Sequence, residues 1–137
     1  MSAIRGKDST PEMVVRGAMH RLGFRFRLHS RALPGRPDIV MRKRHIVIFV
    51  HGCFWHRHEG CRYATTPSTR KKFWVGKFAQ NVLRDWRSID ELRQMGWRIL
   101  VVWDCALRKR GPDDPVIQKL LSDWISSSQK QSQITTL

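Results

Sequence analysis

Acidic residues are scarce in this chain: eleven Asp and Glu stand against twenty-six Lys and Arg, leaving a formal net charge of +15 over 137 residues. Such an excess points to a polyanion as partner. No apolar run approaches the roughly 20 residues that cross a bilayer. Neither a signal peptide nor a basic amphipathic anchor is visible, so a membrane surface is set aside and nucleic acid is the expected partner. Cysteine is rare and odd in number, with Cys53, Cys61 and Cys105 only. Without an export signal this argues against a disulfide framework and for a reducing compartment, the cytoplasm. There is no internal repeat. The length suits one domain, large enough to bury a core without help from a metal.

Local signals mark the elements. Thr10-Pro11-Glu12 reads as a helix start, with Thr10 as N-cap and Pro11 at the first position, and the helix is expected over 10–22 with Gly23 as its stop. Residues 24–28 alternate apolar and basic side chains, as a strand with one wet face does. Residues 33–37 form a turn. Two apolar runs, 38–41 and 45–50, flank Arg42-Lys43-Arg44 in a hairpin pattern. A long helix is expected over 70–95, with Val75, Ala79, Val82, Trp86, Ile89 and Leu92 as its core stripe. Residues 97–103 read as a strand buried on both faces and 115–125 as a last helix. The expectation is an α/β fold, one domain over residues 1–129 with a mixed central sheet flanked by helices, and a flexible tail over 130–137.

Folding the hairpin about 42–44 brings Asp38 to the end of the partner strand, near Val50 and His51, within a residue or two. A carboxylate beside a histidine and a strand-end carbonyl can hold Mg²⁺, which takes oxygen ligands and activates water and phosphate. Alone, Asp38 after Pro37 would read as a turn-closing residue; His51 tips the balance. Glu12 has two equal readings, a helper at that site or a first-turn residue facing the helix dipole.

The segment 52–69 has no period and holds Cys53, His56, His58 and Cys61. Thiolates and imidazole at short spacing favour tetrahedral Zn²⁺, and Cys105 is the remaining thiol for a closed structural site. Both His56 and His58 have workable spacing to Cys53; Cys53, His58, Cys61 and Cys105 make one such set, and the other imidazole is then free for proton transfer. Phe54 and Trp55 lie inside this polar loop, where both do not readily serve as core. Trp74, Lys77, Asn81 and Arg84 share a helix face away from Val75. That face suits nucleic acid, though packing of Trp74 beneath the loop is an equal alternative.

These residues resemble a known family. The stretch Leu33-Pro34-Gly35-Arg36-Pro37-Asp38-Ile39-Val40 is similar to the Vsr, or very-short-patch repair, mismatch endonucleases. So are Val47-Ile48-Phe49-Val50-His51-Gly52-Cys53-Phe54-Trp55-His56 and Trp97-Arg98-Ile99-Leu100-Val101-Val102-Trp103-Asp104-Cys105-Ala106-Leu107, as is Phe73-Trp74 followed by Lys77 and Asn81-Val82. The string from His51 to His56 is the most specific, and the likeness runs from Ser2 to about Ile125.

The resemblance implies a restriction-endonuclease-like fold and nicking of one strand 5′ to the thymine of a T·G mismatch, the lesion left by deaminated 5-methylcytosine. It implies that Asp38 binds Mg²⁺ with the Val50 carbonyl, that His56 activates water, and that His51 supports the phosphate and metal. Glu12 completes that site. Cys53, His58, Cys61 and Cys105 are implied as structural zinc ligands, Phe54, Trp55 and Trp74 as intercalating aromatics, and Lys77 and Asn81 as residues near the mismatched bases. It further implies action as a monomer on double-stranded DNA in the bacterial cytoplasm, at the nucleoid. The chain departs from the family in having one extra residue between His58 and Cys61, which in one alignment puts Glu59 at the ligand position, and in Val50, where some members have threonine. A silent zinc-bearing DNA-binding module shares the charge and the cysteines but gives Asp38, His51 and His56 no reason to converge.

Overall fold

A computed structural model describes residues 9–136. The part of the expected domain before residue 9, and residue 137 of the expected tail, lie outside the described residues. The first helix, α1 (Thr10–Arg21), starts one residue earlier than the cap reading implied: Ser9, not Thr10, is the N-cap, and its hydroxyl accepts from the Glu12 N–H. Of the expected strand over 24–28 only β1 (Arg27–Leu28) pairs. It lies antiparallel to β2 (Ile39–Met41), which makes the expected hairpin with β3 (Ile46–His51), Ile39 facing Ile48 and Met41 facing Ile46.

The long helix α2 (Lys71–Gln94) then crosses over to β4 (Arg98–Trp103), parallel to β3. A short turn of helix, α3 (Asp104–Leu107), follows. The last helix, α4 (Pro115–Ser126), is capped by Asp114, whose carboxylate accepts from the N–H groups of Val116 and Ile117. The chain closes with β5 (Gln131–Ile134), parallel to β4, giving a five-stranded mixed sheet in the order β1-β2-β3-β4-β5.

Strand alternation sorts the core into two layers. Ile46, Ile48, Leu100 and Val102 face α1 and α4, packing on Val15, Met19, Leu121 and Ile125. Val47, Phe49, Ile99, Val101 and Trp103 face the other way, toward Leu92 of α2 and the cysteine loop. Both faces of β3 and β4 are therefore apolar, as their sequence predicts.

Two expectations fail, the first in part. The stripe from Val75 to Leu92 is the buried face of α2 only at its C-terminal end: Leu92 is buried and Ile89 packs against the core, but Val75 is 51% and Trp86 74% exposed. The inward side runs through Trp74, Phe78, Asn81, Asp85, Ser88 and Leu92, because its polar members bond to the loop or approach a turn that hydropathy alone does not reveal. The second is the tail. Polar Gln131–Ile134 forms a strand because the Ile99 N–H donates to the Lys130 carbonyl, Trp103 Nε1 donates to the Gln133 side chain, and Ile134 is buried.

Gly35 fixes how the turn before Asp38 meets α2. It has φ +74, and a Cβ there would lie 2.7 Å from the Ser88 Cβ, so only glycine lets the backbone approach so closely.

Candidate active site and metal-binding groups

Asp38 precedes β2 and lies across from the end of β3, where its Oδ2 accepts from the Val50 N–H at 2.7 Å. Burial pushes its carboxyl up to about 7, with nearby Glu12 acting in the same direction and the Val50 hydrogen bond opposing it. Glu12 projects from the first turn of α1 and is only 2% exposed. Its Oε2 accepts from His29 Nε2 at 2.6 Å and pairs with Arg16 at 3.5 Å. Glu12, His29 and Asp38 offer donor atoms within 4.8 Å of one another.

His51 ends β3 and His56 follows in the loop. Their rings stack face to face, centroids 3.8 Å apart and planes 5° apart. Burial first, then the neighbouring His56, holds the His51 imidazole well below its usual range, so it stays neutral. His56 Nδ1 donates to Asp85 Oδ2 at 2.6 Å, and Asp85 comes from the middle of α2. A cleft of about 850 Å³ joins these residues: Glu12, Asp38, Val50, His51, Trp55, His56 and Asp85 all line it. An imidazole oriented by a carboxylate beside a second carboxylate at a strand end is an arrangement that can take a proton from water next to a phosphate.

A second donor group lies under the loop. Cys53, His58, Cys61 and Cys105 bring their ligand atoms within 4.8 Å of one another, and all three thiols are free. His58 Nδ1 lies 3.6 Å from Cys53 Sγ and 3.5 Å from Cys105 Sγ. Its ring stacks on Trp103 at 4.1 Å. His58 is thus the imidazole of this group; Glu59 is exposed, and His56 turns away to Asp85. Burial pushes the Cys53 thiol up to about 12, with Cys105 and Cys61 adding to it and the Cys105 N–H opposing. Packing three thiols that tightly disfavours ionisation unless a cation sits among them, so the donor set fits a metal ion.

DNA mismatch endonuclease Vsr of Escherichia coli (strain K12) is 42% identical over 137 residues, covering 99% of this chain and 87% of that protein. The chain belongs to the Vsr family of DNA endonucleases. A family model described as DNA mismatch endonuclease Vsr matches residues 1–62. Type II nicking enzyme V.XorIIP of Xanthomonas oryzae pv. oryzae is 45% identical over 121 residues, 88% of each chain. Among solved structures, the catalytic domain of homing endonuclease I-Bth0305I shares the fold, with a TM-score of 0.55 at 23% identity, covering 87% of this chain and 97% of that one.

In this Vsr-family chain the aromatics form one partly exposed cluster. Phe54 packs edge-on to Trp55 at 4.9 Å and to Phe78 at 5.1 Å, and Trp55 lies 5.7 Å from Trp74. Asn81 donates to the Trp55 carbonyl at 3.3 Å, so it braces the loop, while Lys77, one turn before it, is exposed. Arg84 is likewise exposed, so along the sequence-based face Trp74 and Asn81 are partly covered by the loop and Lys77 and Arg84 are left open.

Three participants escaped sequence reasoning. Asp85 pairs with His56 across 29 positions and His29 with Glu12 across 17, separations no local pattern reports. Arg57 donates to the carbonyls of Phe54, Ala64 and Thr65 and to the Thr66 hydroxyl, with its guanidinium 3.9 Å over Phe78. Its neighbours in sequence gave the only hint, a basic residue within the cysteine loop.

Proposed function

We propose that this protein nicks one DNA strand 5′ to the thymine of a T·G mismatch, by Mg²⁺-assisted attack of water on the phosphodiester, within very-short-patch repair of deaminated 5-methylcytosine. The observation that carries the reading is the shared cleft, in which Asp38 and the Asp85-oriented His56 face one space. The nicking enzymes among its relatives support single-strand cleavage.

Asp38 and the Val50 carbonyl would hold Mg²⁺, an all-oxygen pair suited to that ion. When bound, the ion supplies charge neutralisation and polarisation of a phosphate oxygen. Asp85 accepts the Nδ1 proton of His56, which leaves Nε2 free to take a proton from the attacking water. The water oxygen bonds to phosphorus as the bond to the 3′ oxygen breaks and that oxygen takes a proton from solvent water, leaving a 5′-phosphate and a 3′-hydroxyl. His51, kept neutral by burial, orients His56 through ring stacking and offers a donor to the phosphate. Glu12 completes the acidic end of the cleft.

Cys53, His58, Cys61 and Cys105 would hold Zn²⁺ in a closed Cys₃His set, tying the loop to the end of β4. Phe54, Trp55 and Trp74 are the wedge that opens the mismatched step, where unstacking costs least. Lys77 contacts the DNA beside the mismatch, and Asn81 keeps Trp55 in place. The protein works as a monomer in the bacterial cytoplasm, with residues 1–129 as one endonuclease domain to which β5 adds an edge.

The test is cleavage of end-labelled duplexes carrying T·G or T·A at one position, across varied flanking sequence, with Mg²⁺ or EDTA. A single nick in the thymine strand, confined to T·G and dependent on Mg²⁺, is expected. Equal cutting of matched duplex, or cutting of both strands, would overturn the proposal.

A further inference from the structure

His29 lies where the sequence pointed only to two carboxylates. It follows β1, and its backbone N–H donates to the Asp38 carbonyl at 3.1 Å. At φ 48 its backbone is left-handed, uncommon for a residue with a side chain, and its Nε2 lies 2.6 Å from Glu12 Oε2. The carboxylate of Glu12 is fixed by burial and by Arg16, and Asp38 by Val50. Three elements, α1, the end of β1 and the start of β2, thus deliver one nitrogen and two carboxylates within 4.8 Å. Opposed donors around one small divalent ion stand about 4.2 Å apart, so little closure is needed to hold one.

We propose that His29 is a ligand of the metal bound at Asp38, its Nε2 exchanging the proton it shares with Glu12 for the ion as that proton leaves to solvent or is carried on Nδ1, and that the site therefore holds a first-row divalent ion such as Mn²⁺ more tightly than Mg²⁺. The inference rests on the reading of Asp38 as the metal-binding carboxylate. Magnesium prefers oxygen donors and sheds water reluctantly, whereas imidazole strengthens binding of transition ions. The thiolate group does not compete for the hard Mn²⁺ ion, since soft donors select zinc-like ions.

Mn²⁺ is the probe, added to the zinc-loaded protein without DNA. Its free ion is counted by electron paramagnetic resonance, and bound nitrogen is read by electron spin echo modulation. The unaltered protein is expected to show nitrogen modulation that His29→Gln and His29→Asn both lose. Mn²⁺ affinity in those variants should fall about tenfold or more. Mg²⁺ affinity, measured by competition, should change by less than about threefold. Modulation retained in both variants, or an equal loss for the two ions, overturns the assignment. If neither variant folds, a crystal of the unaltered protein soaked in Mn²⁺ decides, since anomalous scattering places the ion either at bonding distance from His29 Nε2 or away from it. Asp38→Asn separates the two layers of reasoning. Mn²⁺ binding that survives this change sinks the metal reading of Asp38 itself; binding lost there, with no nitrogen signal in the unaltered protein, sinks His29 alone.

Discussion

Two of the three donor groups among the described residues, both at the end of the sheet where β3 and β4 terminate, differ in kind. One gathers carboxylates and an imidazole from α1, the end of β1 and the start of β2, at the wall of an open cleft. The other gathers three thiols and an imidazole from one irregular loop and α3, beneath the ring of Trp103. Regular elements already rigid from packing carry or directly flank the hard donors. The loop has no ladder of its own and is held by the hydrogen bonds of Arg57 and Asn81 and by its packing around the soft donors. On the proposed function, the contrast would separate a site that acts on a substrate from a site that holds the protein together.

The sharpest way to break this division is to remove one donor from each group. Cys105→Ala is expected to lose bound zinc and cooperative folding together, since structural zinc contributes on the order of 10 kcal/mol. Metal analysis and thermal melting check it, and a variant with full zinc and an unchanged melt would erase the distinction. Asp38→Ala should do the reverse. Nicking of a T·G duplex falls to background while zinc content, melting and mismatch binding persist. Asp85→Asn should lower the nicking rate by about 10²-fold with little change in DNA affinity, as loss of an orienting partner does to a general base. An unaltered rate would detach His56 from proton transfer.

The smallest expected effect is a pH dependence. Without added divalent ion, the folded protein keeps the Asp38 proton up to about pH 7, whereas the unfolded chain releases it near 3.8. Between these values the folded state binds the extra proton. Its stabilising contribution is complete below pH 4 and is lost as pH rises through about 7, at no more than about 1.4 kcal/mol per pH unit. Denaturant titrations across that window should show the slope, and Asp38→Asn should flatten it.

How much of this was legible follows the reach of each interaction. The hairpin, α1, α4 and β4 announce themselves through caps, turns and alternation, all within a few residues. That Asp38, His51 and His56 line one cleft was legible because one short stretch holds two of them and a hairpin delivers the third. The inward face of α2 was read correctly only at Ile89 and Leu92, because Asn81, Asp85 and Ser88 are polar. Their partners, a loop carbonyl, an imidazole and a glycine turn, lie 26 to 53 positions away. Strand β5 was missed for a similar reason: of Gln131–Ile134 only Ile134 is buried, and the strand exists through its pairing with β4.

Arg57 bears on the charge with which the sequence began. Its guanidinium is shared among three carbonyls and a hydroxyl above an aromatic ring, and Arg98 is similarly turned toward the carbonyls of Trp124, Ile125 and Gln129. Cations engaged in this way displace no counterions from a duplex. The steepness with which salt weakens binding therefore counts the cations that meet phosphate, a smaller number than the twenty-six Lys and Arg of the sequence.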